Sequence, residues 1–337
     1  MRRPWSCSGE SSAAITTRTE CTAWIWTCFR CRRPARLPCG RKTSRRGDIA
    51  RSDCGSNTCC AMRVVRDPGL LPERCVLVPT MGALHAGHLS LVRIARDRAG
   101  GNLPVVVSIF VNPTQFNDAR DLEAYPRDLD RDVHLCAQTG ADIVFAPDVE
   151  TVYPPGVKTP SPKLPAVAVQ PGLEDAGRPG HFAGVCQVVT RLFALCRPVA
   201  AVFGEKDWQQ LQVVRALVQA ERSSVQIIAG PIVRERDGLA MSSRNVRLSG
   251  DDRIKALSLR RSLDAAQRAS TPEQAEQAMH AVLDVPGVDV QYAVVRDAER
   301  LEPLRDTRRA VGRALVCACV SGVRLLDNDA WIGPDIR

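Results

Sequence analysis

The sequence predicts an α/β protein: a parallel sheet with helices on both faces, followed by a smaller C-terminal α+β domain. Two observations carry this. From Arg74 to Gly230, short β-branched apolar runs alternate with stretches whose apolar residues recur at helical spacing, the pattern of successive βαβ units. After Gly230 the order changes to two helical stretches and then three strands. The body showing these patterns starts at Met62 and is about 275 residues long, enough for one large or two modest cores.

The elements follow in order. Cys75 to Val78 reads as the first strand and Leu89 to Arg98 as the helix after it. Val105 to Val111, Ile143 to Ala146, Ala201 to Phe203 and Val225 to Ala229 are the further strands. Leu129 to Gln138, Phe182 to Cys196 and Gln209 to Arg222 are the helices between them. Right-handed crossovers place those helices on both faces of the sheet. Beyond a boundary near Pro231, helices are expected at Asp251 to Ala269 and Pro272 to Leu283. Strands are then expected at Val288 to Val295, Ala314 to Val320 and Val323 to Leu326. The expected domains are therefore 62–230 and 231–337, with the loop Val233 to Arg247 as hinge.

Residues 1–60 differ in composition. They hold 12 Lys and Arg against 4 Asp and Glu, and 8 of the 14 cysteines, so nearly all of the net charge of +9 belongs to them. They show no sustained period of 2 or 3.6. Cys28 and Cys31 form a lone C-x-x-C with no histidine in the segment, half of what a zinc module needs. Residues 1–61 are expected to be an extension outside the folded body, with translation starting at Met62; an Arg-rich transit peptide is the competing reading.

The body nets +1, which leaves no electrostatic footprint for nucleic acid. It has no apolar run approaching the roughly 20 residues that span a bilayer. Its six cysteines (Cys75, Cys136, Cys186, Cys196, Cys317, Cys319) lie in apolar stretches, where thiols pack as small hydrophobes. A reducing, cytoplasmic setting follows, with no nucleic acid and no membrane as partner.

The strongest chemical signal is Val78 to His88, VPTMGALHAGH, between the first strand and the first helix. Ligands of open parallel sheets bind at strand carboxyl ends, and the N–H groups opening a helix favour phosphate. His85 and His88 enter there, three residues apart around Gly87, placed to donate hydrogen bonds to a phosphate transition state. A metal-ligating pair and two incidental loop histidines are the competing readings. FGEKDWQQ (203–210) occupies the same kind of strand end. Its Lys206 is one of only five lysines and suits a phosphate contact, unless the turn is simply solvated. GLAMSSRN (238–245) offers small hydroxyls and an arginine to clasp a triphosphate. NPTQF (112–116) and GRPGHF (177–182) are polar loops where substrates would sit.

Taken together these segments, with AYPRDLDRD and the closing VRLLDN, resemble in order the pantothenate synthetases (pantoate–β-alanine ligases) of the nucleotidylyltransferase superfamily, whose mark is a His-x-Gly-His turn. The resemblance runs from about Arg74 to Asn328. It implies a Rossmann-like nucleotide- and pantoate-binding domain, a C-terminal lid and a homodimer. It implies ATP-dependent condensation of (R)-pantoate with β-alanine through pantoyl adenylate, releasing AMP and diphosphate. ATP, with Mg²⁺ on its phosphates, would be a substrate; no prosthetic group and no protein-held metal are implied.

Carried over by motif, Met81, Gly82, Ala83, Leu84, His85, Ala86, Gly87 and His88 would line the ATP site, His88 in the proton donor's place. Gly204, Glu205, Lys206 and Asp207 would hold ribose and phosphates, Val233 the adenine, and Met241, Ser242, Ser243 and Arg244 the phosphates. His88, His85 and Lys206 would be the catalytic set. Gln115 and Gln210 would bind pantoate, Gln115 also β-alanine, and Arg178 and His181 would border the pocket.

The chain departs from the family in three places. The lead-in RVVRDPGLLPER is short where the family has a fuller helical one. The stretch 154–171 is proline-rich, and Trp208 replaces a smaller aromatic. The rival readings are another nucleotidylyltransferase sharing the His-x-Gly-His turn, and an inert body whose basic leader contacts nucleic acid.

Overall fold

The computed structural model describes residues 62–157, 159, 161–304 and 310–336; the expectations for residues 1–61 lie outside the described residues. Residues 61–337 form one compact unit. In chain order the main part comprises β1 (Arg63–Val65), β2 (Cys75–Thr80), α1 (Ala86–Ala99), β3 (Val105–Ile109), α2 (Ala119–Glu123), α3 (Leu129–Thr139) and β4 (Ile143–Phe145). It continues with α4 (Val149–Val152), α5 (Glu174–Gly177), α6 (His181–Cys196), β5 (Pro198–Gly204), α7 (Trp208–Ala220) and β6 (Gln226–Gly230). The remainder comprises α8 (Gly250–Ala266), α9 (Pro272–Leu283), β7 (Val288–Asp297), β8 (Val311–Val320) and β9 (Val323–Ile332).

The first six strands form one sheet in the order β1-β4-β3-β2-β5-β6 with every pairing parallel. Alternation along β2 explains the two covered faces. Cys75 and Leu77 pack with α6 and α7 residues such as Val189 and Leu217, while Val76 and Val78 pack with Leu91 and Val92 of α1. The chain winds outward from β2 through β3 to β4, then returns to place β5 on the other side of β2. The carboxyl end of β2 is therefore the switch point, flanked by the loops after β3 and β5.

The last three strands form an antiparallel sheet, β7-β8-β9. On one face Val316, Ala318 and Leu325 pack with Leu259 and Leu263 of α8 and Met279 of α9. On the other, Leu315, Tyr292 and Val294 join the core around α6 and α7. Helix termini are conventionally capped: Ser249 accepts the N–H of Asp252, and Thr271 that of Gln274, with Pro272 at the first helical position.

Three differences from the sequence reading are physical. The lead-in contains no α-helix, only a 3₁₀ turn at Pro68–Leu70; Arg63–Val65 adds an edge strand beside β4, too short to show a period. β9 runs to Ile332 rather than stopping at Leu326, because β8 pairs with it as far as Val311 opposite Ile332. Its polar middle, Asp327 and Asn328, is buried and bonded elsewhere. The short helices α2, α4 and α5 had no periodic signature.

Candidate active site

The turn after β2 is held in an unusual backbone shape from below. Gly82 (φ 81) and Ala83 (φ 50) are consecutive left-handed residues. The buried Asp132 of α3 accepts the N–H of Ala83 and of Leu84, one on each carboxylate oxygen, both at 2.8 Å. A Cβ on Gly82 would fall 2.9 Å from Asp132 Oδ2, so both φ and space require glycine there. Burial pushes the Asp132 carboxyl up, against the two backbone hydrogen bonds that stabilise its anion.

This clamp delivers His85 as the N-cap of α1. His85 Nδ1 accepts the N–H of Gly87 at 3.1 Å, and His88 Nδ1 accepts the N–H of His85 at 3.4 Å, a capping box made of two imidazoles. The rings lie 4.1 Å apart between centroids. Burial, then Lys206, pushes His85 down to about 4; burial, then His85, pushes His88 down to about 3. Both are thus neutral near pH 7. With each Nδ1 lone pair engaged, each proton resides on Nε2, free to be donated in a hydrogen bond.

Beyond β3, Asn112 caps a 3₁₀ turn and orients Gln115. Asn112 Nδ2 donates to Gln115 Oε1 at 3.0 Å, Tyr153 donates its hydroxyl proton to Asn112 Oδ1 at 2.9 Å, and Gln115 Nε2 donates to Met81 Sδ at 3.1 Å. Helix α6 approaches this turn so closely that a Cβ on Gly184 would lie 2.7 Å from the Gln115 nitrogen and closer still to the Thr114 carbonyl. Arg178 and His181 support the same turn. His181 Nδ1 donates to the Gln115 carbonyl at 3.0 Å, and Arg178 Nη1 donates to His181 Nε2 at 3.1 Å. A carbonyl only accepts and a guanidinium only donates, so His181 is the neutral Nδ1–H tautomer. Burial, then Arg178, pushes it down to about 4.

The turn after β5 carries Lys206, whose Nζ lies 3.4 Å from Asp207 Oδ1. Burial would raise the Asp207 carboxyl, but Lys206, Arg244 and Arg178 hold it below the usual carboxylate range. The loop 233–247 closes the third side. The Val233 carbonyl accepts the N–H of Met241 at 3.0 Å, and Arg244 Nη2 reaches Asp121 Oδ2 of α2 at 3.2 Å.

These elements enclose a cleft of about 860 Å³, within the range of small-molecule sites. Of the residues expected at the site, Met81, His85, Gly87 and His88 line it, as do Gly204, Lys206, Asp207 and Val233. So do Met241 to Arg244, Gln115, Gln210, Arg178 and His181. Gly82, Ala83, Leu84, Ala86 and Glu205 do not. Leu84 is buried in the core beside α1, and Glu205 points to Arg313, Oε2 to Nη2 3.4 Å. Asn112, Tyr125, Tyr292, Arg324, Asp327 and Asn328 line the cleft without having been singled out. Asn112, Tyr125, Arg324, Asp327 and Asn328 lie within the NPTQF, AYPRDLDRD and VRLLDN segments; Tyr292 has no local signal.

Residues 59–330 match the Pantoate-beta-alanine ligase family. The chain is 48% identical over 268 residues to a pantothenate synthetase of Nocardioides sp., covering 76% of this chain and 78% of that one. It is 49% identical over 265 residues to one from Myxococcus xanthus, covering 76% and 88%. Among solved structures, the pantothenate synthetase of Thermus thermophilus superposes with a TM-score of 0.74 at 43% identity, covering 80% of this chain and 99% of that one. The Francisella tularensis pantoate-beta-alanine ligase, complexed with beta-gamma ATP and beta-alanine, gives 0.62 at 31% identity, covering 80% and 97%.

Proposed function

The chain belongs to the pantoate–β-alanine ligase family and joins pantoate to β-alanine at the expense of ATP; from that premise we propose how its residues divide the work. The observation that carries the reading is the pair of neutral imidazoles at the switch point, both with Nε2–H available, in one cleft with Lys206, Gln115 and Gln210.

In the first step a pantoate carboxylate oxygen attacks the α-phosphorus of ATP. The bond to the bridging oxygen breaks, giving pantoyl adenylate and diphosphate. His85 and His88 donate Nε2–H hydrogen bonds to the non-bridging oxygens as charge builds on them, and need not gain or lose a proton to do so. Lys206 and, from the hinge loop, Ser242, Ser243 and Arg244 neutralise the departing diphosphate. Met81, Gly87, Gly204 and Asp207 contact the nucleotide, and the Val233 backbone borders the adenine. Gln115 and Gln210 bind the pantoate hydroxyls and carboxylate. Gln115 is held rigid by Asn112, Met81 and the His181–Arg178 pair behind it. In the second step the β-alanine amine, placed in part by Gln115, attacks the acyl carbon, AMP leaves, and the nitrogen sheds its proton.

Among the described residues no three or more His, Cys, Asp or Glu side chains converge to hold a metal ion. In the proposed reading magnesium enters with the ATP phosphates as part of that substrate.

We read 62–230 as the body binding nucleotide and pantoate, and 231–337 as the lid whose loop, residues 233–247, keeps water from the adenylate. A homodimer in the cytoplasm is part of the same reading. The setting is supported by free thiols at Cys75, Cys136, Cys186 and Cys317, which burial pushes up to about 12 and makes unreactive. Among the described residues no helix is long and apolar enough to cross a membrane.

The deciding assay is pantoate-dependent exchange of diphosphate into ATP, followed by AMP release on adding β-alanine. A folded sample without exchange refutes the proposed first step.

A further inference from the structure

Lys206 lies on a short turn gripped from outside the main sheet. Asn328, in the middle of β9 and 2% exposed, donates Nδ2–H to the carbonyl of Glu205 at 3.0 Å and to that of Lys206 at 2.9 Å. The other end of its amide is held as well: Oδ1 accepts from Arg313 Nε of β8 at 2.7 Å. Arg313 extends the grip, its guanidinium carbon 3.8 Å over the Trp208 ring centroid and its Nη2 3.4 Å from Glu205 Oε2. Trp208 in turn donates Nε1–H to the Ala298 carbonyl at 2.8 Å. Glu205, just before Lys206, and Trp208, two residues after it, thus both meet Arg313 of the C-terminal sheet, and Asn328 holds the carbonyl of Lys206 itself. The adjacent Asp327 takes both Nη atoms of Arg234, at 2.6 and 3.0 Å, fixing the start of the hinge loop to the same strand.

We infer that Asn328, locked by Arg313, is a positioning residue that sets where the Lys206 ammonium stands in the cleft. The chemistry admits little substitution. Two adjacent backbone carbonyls need two donors on one atom, and the opposite end must accept from a guanidinium; among side chains of this size the amide supplies both. A strand is a stiff support, so the turn, with Lys206 at its centre, is held in one place before substrate arrives. The role explains why Glu205 faces Arg313 instead of the cleft, and what a tryptophan offers at 208: a broad face for the guanidinium. The inference rests on the proposed action of Lys206 on the diphosphate.

The test uses the full chain with Asn328→Asp, which keeps the shape but turns a donor into an acceptor facing two carbonyls, alongside Lys206→Ala and the double variant. Asn328→Asp is expected to lower the turnover of pantoate-dependent exchange about 10-fold or more, while aminolysis of supplied pantoyl adenylate by β-alanine stays within about twofold. The double variant should be no slower in exchange than Lys206→Ala alone, since one substitution acts through the other. Equal losses in both half-reactions, or losses that multiply in the double variant, overturn the positioning role. Wild-type exchange by Lys206→Ala overturns the assignment of Lys206 itself, and the clamp with it. Should Asn328→Asp not fold, Arg313→Met, which unlocks the amide, must give the same split between half-reactions at smaller size; an even loss refutes the inference.

Discussion

His88 accepts the backbone N–H of His85 on Nδ1 at 3.4 Å, while His85 Nδ1 accepts that of Gly87. A helix cap thereby fixes the tautomer of two side chains that we propose act on phosphate. The local fold and the chemistry use opposite edges of the same rings.

That relationship predicts a ¹⁵N spectrum in which His85 and His88 are neutral Nε2–H tautomers, His181 is the neutral Nδ1–H form, and none titrates between pH 8 and 5. A protonation midpoint near 6.5 for either member of the pair is incompatible with the capping box. The sign for stability follows. Each folded pKa lies below the unfolded value near 6.5. Between these values the unfolded chain binds more protons, so these groups stabilise the fold fully above about pH 6.5 and lose that contribution as pH falls toward 4 and 3. Thermal midpoints should decline across that window, less so in a His181→Asn variant.

Replacing His88 with Ala should lower kcat for exchange by roughly 10²–10³ and leave the circular dichroism spectrum intact, the range for loss of one transition-state donor. Undiminished exchange contradicts its role.

Asp132 should matter without touching substrate. Asp132→Asn retains the volume but turns one acceptor facing the Ala83 or Leu84 N–H into a donor. A stability loss of about 1–3 kcal/mol is expected, the cost of leaving a buried donor unpaired. Exchange should slow as well, since the turn presents His85. Denaturant unfolding of the two proteins measures the first effect.

Gly184→Ala forces a methyl group into the backbone of the turn bearing Gln115. The KM for pantoate should rise several-fold, with a stability loss of about 1–3 kcal/mol from overpacking, while the KM for ATP changes little. Parallel rises in both constants would show that the helix contact supports the whole cleft, not the pantoate side alone.

Much of the fold was legible because its elements are periodic. α9 spans the residues that spacing alone indicates, Pro272–Leu283, and α3 is extended by one residue to Thr139. The sequence reading ends β9 at Leu326, just before the polar pair Asp327 and Asn328. They continue it because Arg234 and the carbonyls of Glu205 and Lys206 satisfy them. The motif groups Glu205 with its neighbours, but motif order does not say which way a side chain leaves a turn.

By itself the sequence determined the layering of helices and strands and the place of the histidine turn between the first strand and the first helix. Each depends on residues within a few positions of one another. Only the tertiary structure decided that Asp132, 49 residues beyond Ala83, holds the turn, and that Asn328, 122 residues beyond Lys206, holds its loop. Hydrogen bonds of that span depend on strand order and on the packing of one sheet against another, which no local period encodes.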